Sequence, residues 1–296
     1  TNSRDVHSLV VETFGAWAGL EGDDFTRLAP VAQVCIVVRE GSEQTAGRST
    51  IRHSFPDDLR VVAQSAGSLG ISDPLRAQAI AHVTTDLVAD REHFRDEMLQ
   101  ALTLALLSSF DRHFLHAAAV ACGNRAVLLA APSGTGKSTL AYLAHRSGLQ
   151  VMSEDRVWVQ QSPLLRVWGW PLRLHLRPES AVHFPELDAA AIRSCGTGKQ
   201  RHVVDLALRP GGARQFHADR VVVCLLTRGE GTASLERVQA GIVVESLKRD
   251  VAPGFDRHAV RHEPAMRAIA AGGGWRLRLS GNPHEALPLL RQMLDA

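Results

Sequence analysis

Short apolar runs of β character open the chain. Val31 to Val38 is one, and Ile51 to Val62 holds one or two more around Pro56-Asp57-Asp58. Asp73-Pro74 marks a turn or a helix start. From Asp90 the period changes. Phe94, Met98, Leu102 and Leu106 stand four apart, with Asp90 as N-cap and Glu92 in the first turn. That spacing predicts an amphipathic helix to about Phe110 whose stripe packs into a core. Residues 1–89 therefore read as a small N-terminal α+β lobe, and residues 90–296 as a larger second domain.

The period then returns to two. Leu115 to Cys122 and Arg125 to Ala131 are β-like runs separated by Gly123-Asn124, a two-residue hairpin signal. Ala126 to Ala130 is apolar throughout, as in a strand buried on both faces. The nine residues that follow, Ala131 to Thr139, read A-P-S-G-T-G-K-S-T. Leu140, Leu143 and Ala144 then recur at helical spacing up to Gly148.

Strand, loop and helix in this order fit the phosphate-binding P-loop, with Ala131 where the opening glycine usually stands. Gly134 and Gly136 let main-chain N–H groups turn inward toward phosphate oxygens. Lys137 adds a point charge, the Ser138 hydroxyl suits Mg²⁺, and the helix N-terminus adds partial positive charge. Ser133, Gly134, Thr135, Gly136, Lys137, Ser138 and Thr139 are the expected binding residues for ATP with Mg²⁺. An antiparallel hairpin before the loop sets this chain apart from Ras-like and motor-ATPase arrangements.

Beyond the helix, Leu149 to Ser153 and Arg156 to Gln160 are short strands flanking Glu154-Asp155. A strand-rich block, Arg166 to Leu176, turns at Gly169 and Pro171, and Val203 to Leu208 and Val221 to Leu226 are further strands. Helices are expected over Glu263 to Ala271 and His284 to Leu294. Many P-loop ATPases end a strand in an acid, but Val221 to Leu226 runs into Thr227-Arg228. Glu154-Asp155 is the remaining acidic pair in a suitable place. One acid would hold Mg²⁺ and the other take a proton from an incoming hydroxyl.

Composition narrows the setting. With 45% hydrophobic and 22% charged residues the chain is ordinary for a globular protein, and a formal charge of +2 argues against nucleic-acid binding by bulk electrostatics. Cys35, Cys122, Cys195 and Cys224 form no C-x-x-C pair and, with several in apolar runs, read as buried reduced thiols. No apolar run reaches membrane-spanning length and the first residues carry no signal-peptide pattern, so a cytoplasmic protein without membrane partners is expected. Thr1 in place of Met reads as a trimmed start.

The motifs L-H-A-A-A-V (115–120), the hairpin, A-P-S-G-T-G-K-S-T and M-S-E-D-R-V (152–157) follow one another in an order that resembles HPr kinase and its wider group, over roughly residues 90 to 210. The resemblance implies an α/β fold, a P-loop HPr-kinase/phosphoenolpyruvate-carboxykinase-like core of mixed sheet with flanking helices. It also implies transfer of the γ-phosphoryl group of ATP to a serine hydroxyl. Residue by residue, it implies Lys137 and Ser138 at phosphates and Mg²⁺, Glu154 and Asp155 as base and metal partner, and His116 beside the centre. It further implies a homo-oligomer.

Two departures qualify it. Glu154-Asp155 stands where the group has Asp-Asp, which favours Asp155 as base. The glycine-rich second signature of bifunctional HPr kinase/phosphorylases is absent, its place held by R-V-W-G-W-P-L-R-L-H-L (166–176). Shortened relatives of this type resemble kinases of peptide natural-product pathways, such as lasso-peptide precursor kinases, so a protein or peptide acceptor bearing a serine is expected.

Lys199 or Arg201, in G-T-G-K-Q-R (196–201), would close over phosphates. Arg173 and Arg177 face either a ligand or solvent, and Trp158, Trp168 and Trp170 read as core before ligand site. Two other uses of the same loop stand beside the kinase: a nucleotide-binding or ATP-hydrolysing regulatory protein, and a small-molecule kinase or nucleotidyl transferase.

Overall fold

A computed structural model describes residues 1–17, 31–41, 51–57, 59–64, 67–189, 192–194, 200–206, 214–249 and 259–296. The chain is mixed α/β and divides into two compact units, Thr1–Arg112 and His113–Ala296.

In the first unit, α1 (Arg4–Phe14) starts at Ser3, whose side chain accepts from the Val6 N–H. Strands β1 (Gln33–Arg39), β2 (Ile51–Ser54), β3 (Arg60–Gln64), β4 (Ser68–Asp73) and β5 (Gln78–Thr84) form a sheet ordered β1-β5-β4-β3-β2. Only β1 and β5 pair in parallel. Asp73-Pro74 opens the turn joining β4 to β5.

After the short α2 (Thr85–Ala89), the predicted helix runs as α3 (Arg91–His93), a π-type stretch Phe94–Leu99, α4 (Gln100–Ala105) and a 3-10 end, Leu106–Phe110. Its stripe is buried as expected: Phe94, Met98, Leu102 and Leu106 join Val6, Leu9, Ile36, Val62 and Val83 in one core. Gly70 permits this contact, since an added Cβ there would stand 2.6 Å from Leu102 and 2.9 Å from the Met98 sulfur. The helix thus belongs to the first unit, and the boundary falls at Arg112/His113 rather than at residue 90. Periodicity announces a buried stripe without saying which sheet buries it.

The second unit holds β6 (His113–Leu115), β7 (Ala118–Cys122), β8 (Arg125–Ala130), α5 (Lys137–Arg146), β9 (Gln150–Ser153) and β10 (Val157–Gln160). There follow β11 (Arg166–Trp168), β12 (Arg173–Leu176), β13 (Ile192–Ser194), β14 (Gln200–Asp205), β15 (His217–Ala218), β16 (Arg220–Arg228) and β17 (Ser234–Val238). Then come α6 (Ala240–Arg249), α7 (Ala259–Ala270), β18 (Gly274–Leu279) and α8 (Ala286–Asp295).

The main sheet is ordered β17-β18-β16-β8-β7-β9. The hairpin is present, with Cys122 opposite Arg125 and Gly123 at φ 55°. Cys122, last in its strand, and Cys35 are exposed, and of the expected buried thiols Cys224 is the buried one among the described residues. On its other side β8 pairs in parallel with β16. Alternate residues of β8 serve opposite cores. Val127 and Leu129 meet Leu140, Leu143, Leu290 and Met293 of α5 and α8. Ala126, Leu128 and Ala130 meet Val243, Leu247, Met266 and Ile269 of α6 and α7. Burial on both faces explains the unbroken apolar run. Two further antiparallel sheets, β15-β11-β10-β6 and β12-β14-β13, complete the described part of the unit.

Candidate phosphate-binding site

The loop leaves the buried end of β8 and enters α5. Gly134 and Gly136 have φ of 88° and 129°, a region open to glycine at little cost. The main-chain N–H and hydroxyl of Thr135 both donate to the Pro132 carbonyl, at 3.3 and 2.9 Å, and so close the turn. Gly136 supplies no side-chain cap to α5, so the positive end of the helix is not answered by its own N-cap. The Lys137 side chain is buried and its Nζ donates to the Ala131 carbonyl, which folds the ammonium back over the end of β8. Ser133 is exposed, while Ser138 and Thr139 are half-buried on the first turn.

The acidic pair lies where two strands change sheets together. Ala119 of β7 pairs with Ser153 of β9 in the main sheet. Leu115 of β6 pairs with Val157 of β10 in the four-stranded sheet. The segments between these pairs, 116–118 and 154–156, therefore lie opposite one another, and His116 stands across from the acidic turn. Ser153 clamps that turn, its hydroxyl donating to the Arg156 carbonyl at 2.5 Å and accepting the Arg156 N–H at 3.2 Å.

Glu154 and Asp155 differ sharply. The Ser138 hydroxyl donates to Glu154 Oε1 at 2.9 Å. His175 of β12 reaches Glu154 Oε2 through its main-chain N–H at 2.9 Å and through Nδ1 at 2.8 Å. Glu154 is thus held on both oxygens, with its side chain 13% exposed. Asp155 is 51% exposed and meets Arg156 Nε at 3.7 Å. Gly169 lets the β11–β12 segment approach, because an added Cβ would stand 2.3 Å from the Met152 carbonyl oxygen.

Two arginines reach the loop. Arg228, the last residue of β16, donates from Nε to the Thr135 carbonyl at 3.0 Å. Arg177, just past β12, lies over the loop apex, its Nη2 3.0 Å from where a Cβ on Gly134 would be. Sequence reasoning weighed Arg177 but passed over Arg228 and His175. Their signals were a strand ending in arginine rather than an acid, and a histidine in the alternating R-L-H-L of 173–176.

Lys199 lies outside the described residues. Arg201 on β14 donates to the Gln200 carbonyl at 3.0 Å. The tryptophans pack together: Trp158 and Trp168 are cross-strand partners, Trp158 meets Trp170 edge-on at 6.3 Å, and Trp168 Nε1 donates to Gln160 at 2.8 Å. Among the described residues no cluster of three or more His, Cys, Asp or Glu could hold a metal ion. Ser138 and Glu154, in hydrogen-bond contact, offer oxygen donors of the kind a hard cation takes when water and phosphate oxygens complete its shell. No helix among the described residues is long and apolar enough to cross a membrane.

No family model and no curated protein matches this chain. Among solved structures, the HPr(Ser) kinase/phosphatase from Coxiella burnetii aligns at 13% identity over 62% of this chain and 87% of that one, with a TM-score of 0.34. Likeness at that level carries no weight for fold or chemistry, which rest on the residues above.

Proposed function

We propose that this chain is a Mg-ATP-dependent kinase that transfers the γ-phosphoryl group to a serine hydroxyl of a protein or peptide, a peptide natural-product precursor being the leading acceptor class. The observation that carries this reading is the Ser138–Glu154–His175 linkage, which fixes one acid beside the phosphate loop and leaves the neighbouring acid open.

Gly134, Thr135 and Gly136 shape the phosphate cradle, and Lys137 exchanges the Ala131 carbonyl for phosphate oxygens. Ser138 and Glu154 would hold Mg²⁺, and the exposed Asp155 follows them in the chain. Bound there, Mg²⁺ would supply positive charge to the phosphate oxygens. Asp155 takes the proton of the acceptor hydroxyl as its oxygen bonds to the γ-phosphorus and ADP departs. His116, across from the acidic turn, would help orient that hydroxyl. The order of motifs that resembles HPr kinases supports the same chemistry.

Incubation with γ-labelled ATP, Mg²⁺ and a panel of serine peptides tests the proposal. Label is expected on a peptide serine. Label recovered only as free phosphate would replace the kinase with an ATP-hydrolysing regulator, and label on a small hydroxyl compound would redirect the acceptor class.

A further inference from the structure

Resting on the nucleotide-binding reading of the loop, we propose that Arg177 and Arg228 are phosphate-binding residues that grip the polyphosphate chain from two sides. They arrive independently, Arg177 from the three-stranded sheet and Arg228 from the main sheet. Their guanidinium groups converge on adjacent residues, Gly134 and Thr135.

Charge gives the argument its force. Both side chains are exposed, and neither has a carboxylate partner among the described residues. They stand beside the ammonium of Lys137 and the positive end of α5, a concentration of like charge unfavourable in the empty protein. Glu154, the acid that accepts from Ser138 at the start of α5, is also engaged by His175. Arg166, Arg267 and Arg276 in the same unit each meet a carboxylate at 2.6 Å or less, and Arg278 and Arg291 bond main-chain carbonyls singly, so what sets Arg177 and Arg228 apart is that two such side chains converge on one loop. Only one donor edge of Arg228 is used by the loop, so the planar fork remains for oxygen acceptors. An arginine suits that task because its donors match two phosphate oxygens at once. The ligand is therefore a polyanion, and the phosphates rather than the base are what these residues read.

Calorimetric titration of the full chain with Mg-ATP and with magnesium tripolyphosphate tests this, using wild type, Arg177→Gln, Arg228→Gln and Arg228→Lys. Each glutamine variant is expected to weaken both ligands by the same factor, about tenfold or more. The melting temperature of the ligand-free variants should match or exceed wild type, because repulsion has been removed. Arg228→Lys should recover part of the affinity. Unchanged affinities in both glutamine variants, with wild type binding normally, would overturn the grip and leave the kinase reading standing. A loss confined to ATP would assign the arginines to the nucleoside instead. A wild type that binds neither ligand would remove the nucleotide reading itself.

Discussion

The two ends of β8 use charge in opposite ways. At its start, the hairpin turn is bolted down. Asn124 Nδ2 donates to Asp219 Oδ2 at 3.1 Å and Asn124 Oδ1 accepts the Asp219 N–H at 2.8 Å, while Arg166 pairs with the same carboxylate. Every formal charge in that group is answered, and the Arg166 hydrogen bond holds the Asp219 carboxyl below its ordinary value, with Asn124 assisting against the opposing effect of burial. At the other end, Lys137, Arg177 and Arg228 gather at one loop, and neither arginine has a carboxylate partner among the described residues. One strand thus joins a turn closed by a paired carboxylate to a loop where three cations gather, although Arg125 at its start, opposite Arg220, also lacks a carboxylate partner among the described residues. It is the convergence of cations on one loop, rather than an unpaired arginine as such, that suits a charged ligand.

The contrast can be broken most severely at the deficient end. Lys137→Ala should abolish detectable Mg-ATP binding by calorimetry and phosphoryl transfer with it. Asp155→Asn should lower transfer by roughly 10²- to 10⁴-fold, the scale of general-base catalysis, while Mg-ATP affinity stays within a few fold. Wild-type transfer in that variant would remove Asp155 as the base. At the completed end, Asp219→Ala should cost about 1–3 kcal/mol in a denaturant unfolding series, since it strands Arg166 and opens the turn, with Mg-ATP affinity unchanged.

The smallest effect sharpens the same point. Because the folded pKa of Asp219 is lowered from 3.8, its contribution is fully present above about pH 4 and declines as pH falls through the lowered value. The stability gap between wild type and Asp219→Asn should therefore hold above about pH 4 and shrink as the pH is lowered further. His217, whose Nδ1 is 4.0 Å from Asp219, is held below 6.5 by burial and then by Arg166, with Asp219 opposing both, so His217→Gln is carried in both proteins to keep its titration out of the difference. A gap that stays constant over that range would show the pair to be electrostatically idle.

Much of this was legible in the chain. The hairpin, the P-loop, the helix stop at Gly148 and the strands flanking Glu154-Asp155 all sit where short-range patterns place them, because turns and caps are set by a few adjacent residues. Leu115 to Cys122 is nevertheless two strands, broken at His116-Ala117 where the chain changes sheets. Several elements gave no usable signal: α1, β4 and β5, and the run β17, α6 and β18. In β5 the exposed positions include Ile80, which blurs the alternation that would announce a half-buried strand. The engagement of Glu154 by His175 depends on β12 arriving from a different sheet, and the position of Arg228 on 93 residues of intervening chain. No local pattern encodes such meetings.

That last distance has a consequence for folding order. β8 can form its hairpin with β7 as soon as both are made, whereas its parallel neighbour β16 lies some ninety residues downstream. Contacts separated this far in sequence pay their loop-closure entropy late. The phosphate cradle would thus exist in outline well before Arg228 reaches Thr135. On the proposed reading, a ligand that requires that arginine would select chains whose main sheet has closed, and its binding would report completed folding.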